Sequence, residues 1–123
     1  MNEKKNILLD KSFDFALAVI KLYKKISQEK HEFVLSKQLL RSGTSVGANI
    51  REAQNAQSKA DFIHKLAISQ KECDENCYWL ELLYKFEYID KLEFDDLHQQ
   101  ATSILKIIRS SILTTKQRHI HNP

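Results

Sequence analysis

The chain is nearly devoid of the two residues that interrupt helices. It has two glycines and one proline in 123 residues, and the proline comes last. Tight hairpins need glycine or an equivalent at positive φ, and proline punctuates strands and loops. A chain so poor in both has little with which to turn an all-β fold, so long helices with short connections are expected. The length suits one domain, residues 1–123. A hydrophobic fraction of 42% is enough for a core, and 28% charged residues give a solvated surface.

Apolar spacing divides the chain into four helices, over roughly 12–27, 33–56, 59–88 and 93–116. In the first, with Ser12 as N-cap, one face carries Phe13, Ala16, Leu17, Ile20 and Tyr23. A second stripe holds Phe15, Val19, Leu22 and Ile26. The second helix follows the polar break SQEKHE and has the seam Leu39, Gly43, Val46, Ile50 and Ala53. Gly43 and Gly47 cost a helix about 1 kcal/mol each. A loop at RSGTSVGAN competes with the helix, but the seam runs in phase through both glycines, so the helix is preferred. Their spacing would let a neighbouring backbone come close.

Ser58 and Asp61 resemble a capping box ahead of the third helix. This helix has two seams. The first is Ile63, Leu66, Gln70, Cys73, Cys77, Leu80 and Tyr84, and the second is Ile68, Glu72, Glu75, Trp79, Leu82 and Phe86. The fourth helix buries Leu97, Ala101, Ile104, Ile108 and Ile112 and leaves Asp96, Gln99, Ser103, Lys106 and Ser110 on its other side. Residues 117–123 have no periodic pattern and are expected to be mobile. Short links between four helices imply an all-α, antiparallel up-down-up-down bundle. A bundle of this kind needs one buried face per helix. The extra apolar stripes, Trp79, Leu82 and Phe86 above all, therefore point to self-association.

No apolar run has the roughly 18–20 residues of a membrane span. The basic start is followed by an apolar stretch, but Asp10, Lys11 and Asp14 break it up, so it reads as a retained helix and not as a leader. Cys73 and Cys77, four apart on a helix, suit two small core residues better than a disulfide, and a reducing cytoplasm is the expected location.

The net charge of +3 conceals a segregation. Residues 1–71 carry +6, residues 72–105 carry −7 and residues 106–123 carry +4. In an up-down bundle, Glu87, Asp90, Glu93, Asp95 and Asp96 gather at one pole. Lys4, Lys5, Lys11, Arg51, Lys59, Lys65, Arg109, Lys116 and Arg118 gather at the other. One pole is thus expected to be acidic and the other basic, and a basic pole can collect phosphates without reading bases. No aromatic platform is interleaved with these cations, which argues against sequence-specific reading of single strands.

Motifs for chemistry are lacking. His64 stands apart from Cys73 and Cys77, zinc-ligand spacings do not occur, and GTSVG has no phosphate-loop lysine. The Arg109–His119 and Arg118–His121 spacings do not fit a helical RNA-cleaving pair. Arg41, Ser45, Asn49 and Glu52 recur along one side of the second helix, and Glu72 and Glu75 stand beside Trp79. Paired carboxylates can do acid–base work. An arginine–carboxylate network fixing helix packing or a subunit interface is the preferred reading. No catalytic, cofactor-binding or metal-ligating residue is expected.

The runs QLLRSGTSVGANIREA and SKADFIHKLAISQKECDENCYWLELL resemble the four-helix bundle family encoded by intervening sequences within bacterial 23S ribosomal RNA genes. The resemblance covers roughly residues 12–115 and rests most on Arg41, Ser45, Asn49, Glu52, Phe62, Glu72, Glu75, Trp79 and Leu80. It implies a cytoplasmic bacterial protein that assembles as a homopentamer. The family is similar to the accessory protein of diversity-generating retroelements, a pentameric barrel that binds its reverse transcriptase and nucleic acid through basic surfaces. The resemblance supplies no catalytic residues. The resulting expectation is a non-enzymatic, ring-forming bundle with RNA or DNA on its basic pole, a nucleic-acid enzyme as a further partner, and Arg41, Ser45, Asn49, Glu52, Ile68, Glu72, Glu75, Trp79, Leu82 and Phe86 at the subunit interface or as family signatures. The alternative is a protein–protein scaffold with no nucleic-acid role.

Overall fold

Each helix begins where a side chain can satisfy the free N–H groups of a first turn. The computed structural model describes residues 6–121, with side chains as far as Arg118. The first helix, α1, spans Ile7–Lys30, and the Asn6 side chain accepts the Leu9 N–H at 3.1 Å. It starts a turn earlier than expected because Leu8 extends the buried seam. Ser12 is therefore not the cap: it lies buried within the helix, and its hydroxyl donates to the Leu9 carbonyl at 3.2 Å. His31, at φ 54°, closes the helix in the left-handed region.

The second helix, α2 (Leu35–Ala53), is shorter than the expected 33–56. Its start has no capping serine, threonine or asparagine. The Glu32 carboxylate instead accepts the N–H groups of Val34, Leu35 and Ser36 at 3.1, 3.0 and 2.8 Å, and its charge suits the helix N-terminus. Both glycines lie inside α2, so the competing loop does not form. The third helix, α3 (Lys59–Lys85), opens as expected, with Ser58 accepting the Asp61 N–H at 3.0 Å. It ends three residues before residue 88, where Glu87 takes φ 61°.

The fourth helix, α4 (Lys91–His121), opens on a reciprocal pair: Asp90 accepts the Glu93 N–H at 2.8 Å and Glu93 accepts the Asp90 N–H at 2.9 Å. It continues beyond residue 116, so residues 117–121, expected to be mobile, are helical. Residues 122–123 of that tail lie outside the described residues.

The helices pack in a ring of neighbours, α1 on α2, α2 on α3, α3 on α4 and α4 back on α1, as short antiparallel connections require. Phe15, Val19 and Ile26 of α1, Leu39, Val46 and Ile50 of α2, Leu66, Leu80 and Leu83 of α3, and Ile104 and Ile108 of α4 form one buried core. In α3 the buried line is Leu66, Ser69, Cys73, Asn76, Leu80 and Leu83, which keeps Leu66, Cys73 and Leu80 of the first expected seam and replaces its other members with residues on the side toward the second. Since α3 stands between α2 and α4, the remaining members of the two expected seams are half-covered or exposed on its flanks. Tyr84 stacks on Phe94 of α4, while Glu72 and Glu75 turn to α2.

Candidate nucleic-acid interface

The polar set expected along α2 is a tie between helices of one subunit. Arg41 bonds Glu72 at 3.1 Å and also bonds Glu75, both on α3, while the Trp79 indole N–H donates to Glu75 at 3.0 Å. One turn or more further along, Lys65 of α3 bonds Glu52 of α2 at 2.9 Å. Ser45 and Asn49 serve their own helix: the Ser45 hydroxyl donates to the Arg41 carbonyl at 2.7 Å, and the Asn49 amide to the Ser45 carbonyl at 2.8 Å. The Trp79 hydrogen bond, with Arg41 beside it, holds the Glu75 carboxyl below its usual range. Glu75 is thus held as an anion by its partners, a state that fits a structural tie.

Burial pushes the Cys73 thiol up to about 12 and the Cys77 thiol up to about 11, so both remain protonated and unreactive at neutral pH. Both are free, and Cys73 donates to the Ala101 carbonyl at 3.5 Å across the core. Among the described residues no cluster of three or more His, Cys, Asp or Glu could hold a metal ion, and no helix is long and apolar enough to cross a membrane.

The apolar stripes left over from the core face outward on two different helices. On α1, Phe13 is 53% exposed, Leu17 51% and Ile20 38%, while Ala16 and Tyr23 are half-buried. On α3, Tyr78 is 56% exposed, and Phe86, which caps the helix, 72%. Ile68, Trp79 and Leu82 are only half-buried, and Trp79 leans against the core. Beside the α1 stripe, Leu9, Phe13, Ala16, Thr44, Ala48 and Arg51 line a groove of about 370 Å³ between α1 and α2.

Topology brings seven of the nine expected cations to one end: Lys11 from α1, Arg51 from α2, Lys59 and Lys65 from α3, and Arg109, Lys116 and Arg118 from α4. Lys4 and Lys5 lie outside the described residues. Asp10, Asp14, Glu52 and Asp61 share this end, and Glu52 engages Lys65. The opposite end carries the expected carboxylates, but they are diluted by lysines. Lys24, Lys25, Lys30, Lys37, Lys85 and Lys91 lie among its carboxylates, with Lys25 bonding Glu93 at 2.5 Å and Lys91 bonding Asp95 at 2.6 Å. Summing charge along the chain hid this, because half of these lysines come from α1 while most of the acids cluster between residues 81 and 96.

Two features escaped sequence reasoning. Ser12, Ser36, Ser42, Ser69 and Asn76 are buried polar residues at core positions. The Asn76 amide donates to the Leu39 carbonyl at 2.9 Å and the Ser42 hydroxyl at 3.1 Å, and its oxygen has no partner. For the serines, phase with the apolar seams was the available signal, since serine can return its hydroxyl to the preceding turn and so occupy a seam position.

Fold and ion pairs together define an antiparallel four-helix bundle locked by an arginine–carboxylate tie between its middle helices. The 23S rRNA-intervening sequence protein model matches residues 4–110, and the chain belongs to that family. It is also similar to a solved structure from Bacteroides thetaiotaomicron, a protein of unknown function from the S23 ribosomal protein family. The identity is 52%, with a TM-score of 0.84, over 85% of this chain and 97% of that one. None of the curated proteins matches the chain.

Proposed function

We propose that the protein is a non-enzymatic, ring-forming bundle, pentameric as the resemblance implies, that binds RNA through its basic end. The observation that carries the reading is the difference between the two ends. One has seven cations against four carboxylates. The other has six cations against Glu29, Glu32, Glu81, Glu87, Asp90, Glu93, Asp95 and Asp96. Repetition around a ring would add these fields together, and counterion release would supply affinity without base reading. Binding to a structured RNA, measured across a salt series, tests the proposal: affinity should fall steeply as salt rises. Absence of binding at low salt, or affinity indifferent to salt, would overturn it.

Ring assembly is supported by two unlike apolar faces on one subunit, Phe13–Leu17–Ile20 on α1 and Tyr78–Phe86 on α3. Unlike faces that meet head to tail close a ring. The same exposed faces favour a second reading, a protein-interaction scaffold placed in the cytoplasm with the rest of the family. Recovery of one defined protein partner after nuclease treatment, together with absence of RNA binding, would select it.

A further inference from the structure

The seven cations at the basic end are not equivalent. Lys65 is engaged by Glu52. Lys11 has Asp14 one turn along α1, and Lys59 is only the first residue of α3. The helix N-termini at this end, the places where a phosphate would otherwise seat, are already occupied by the Asn6 and Ser58 side chains.

The outer side of α4 differs in kind. After Asp96 no carboxylate side chain occurs in the remaining 27 residues, the longest acid-free run in the sequence. With 3.6 residues per turn, Gln99, Thr102, Lys106, Arg109, Leu113 and Lys116 fall within an arc of about 100°, and the strip is about 26 Å long. All six are exposed, and they lie opposite the buried Leu97, Ala101, Ile104 and Ile108. Lys106, Arg109 and Lys116 form no ion pair among the described residues. Ser110 and Gln117, also exposed, border the strip with further hydrogen-bonding groups.

The helix also outruns its neighbour. Cys73 bonds the Ala101 carbonyl, which sets α3 and α4 level at that point. From there α3 has 14 residues to its first, Lys59, and α4 has 20 to its last, His121. At 1.5 Å per residue, α4 projects about 9 Å further. The free end of α4 offers carbonyls, which repel phosphate, so an anion is accepted on the side of the helix and not at its tip.

Cations interleaved with hydroxyls and amides are the side chains that meet phosphates and sugars, and they carry no base code. The exposed strip has no aromatic ring on which an unpaired base could stack. We infer that the outer side of α4, through Lys106, Arg109 and Lys116 with Gln99 and Thr102, is a docking strip for the sugar–phosphate backbone of double-stranded nucleic acid. The inference rests on the proposed nucleic-acid function and narrows it to one helix and one strand state.

The test uses the full-length protein with a 20-base-pair RNA duplex, a second duplex of unrelated sequence, a single strand of equal length and a poly-glutamate peptide of similar charge. The triple variant Lys106→Gln, Arg109→Gln, Lys116→Gln should weaken duplex binding at least tenfold. It should also flatten the log–log salt slope by about one unit for each cation removed. Lys24→Gln with Lys37→Gln, at the opposite end of the bundle, should change binding less than twofold. The two duplexes should bind alike, and both should bind more tightly than the single strand. All variants alter exposed side chains, and unchanged mass by light scattering shows that assembly survives. Equal loss in both variants, preference for the single strand, or equal binding of poly-glutamate overturns the α4 assignment. Failure of the unaltered protein to bind any nucleic acid overturns the broader function as well.

Discussion

At the scale of single residues, the two glycines divide into a strict one and a lenient one. A methyl group built at Gly43 would stand 2.8 Å from both Val19 methyls and 2.9 Å from the Asn76 amide. At Gly47 the nearest atom is the Ser12 carbonyl oxygen, at 3.3 Å. Overpacking a core typically costs 1–3 kcal/mol, and removing a helical glycine returns about 1 kcal/mol. Gly43→Ala should therefore lose up to about 2 kcal/mol in urea unfolding, and Gly47→Ala should stay within about 0.5 kcal/mol of the parent. Similar losses in both would show that the contact distances do not set the cost. Glu75 gives a pH prediction. Its folded carboxyl titrates below its usual range, so its contribution is complete above the unfolded value of about 4.3 and disappears as pH falls through the folded value. Glu75→Gln should make the acid limb of the stability–pH curve shallower and leave the rest of its shape unchanged. An identical acid limb would show that the tie to Arg41 and Trp79 contributes nothing to acid sensitivity. The sequence revealed Arg41, Glu72 and Glu75 as a polar set but not Asn76, because a lone asparagine on a helix has no pattern until its partners on α2 are in place.

At the scale of elements, apolar rhythm located all four helices and the seam of α2 almost residue for residue, because that seam is narrow and directed at the centre. It misjudged α3. A helix wedged between two others has a half-covered flank on each side, and both flanks look like seams when read as a line of letters. Helix ends were legible where the cap sits next to the helix, as at Ser58. They were not legible where the cap reaches over from outside, as Glu32 does to Val34, Leu35 and Ser36. Removing this carboxylate by Glu32→Ala should cost about 1 kcal/mol, the usual worth of an N-cap. Glu32→Gln should recover part of it by keeping an acceptor oxygen while losing the charge. Chemical denaturation of the three proteins checks the order, and equal stability of the parent and Glu32→Ala would remove Glu32 from the capping role.

At the scale of the whole molecule, the apolar faces of α1 and α3 lead to a prediction about mass. Leu17→Glu on α1 and Phe86→Glu at the end of α3 should each break the proposed ring into smaller species by light scattering, since a head-to-tail contact needs both faces. Phe86 is a cleaner site than Trp79, whose indole also bonds Glu75 within the subunit. An unchanged mass in both variants would leave these faces without a role in assembly. The ends of the bundle were only half legible, since chain order separates lysines and carboxylates that folding intermixes. The glycine contacts between α1 and α2 have a consequence for how the chain finds its fold. If α2 slid one turn along α1 in one direction, Leu39 would enter the niche of Gly43 against Val19. Slid the other way, Arg51 would meet the Ser12 backbone where Gly47 now lies. Both slipped alignments are penalised by bulk or by burial of charge, while the native one is not. The glycines therefore act as alignment marks that clear near-miss traps from the folding landscape, a service measured in competing states removed and not in contacts made.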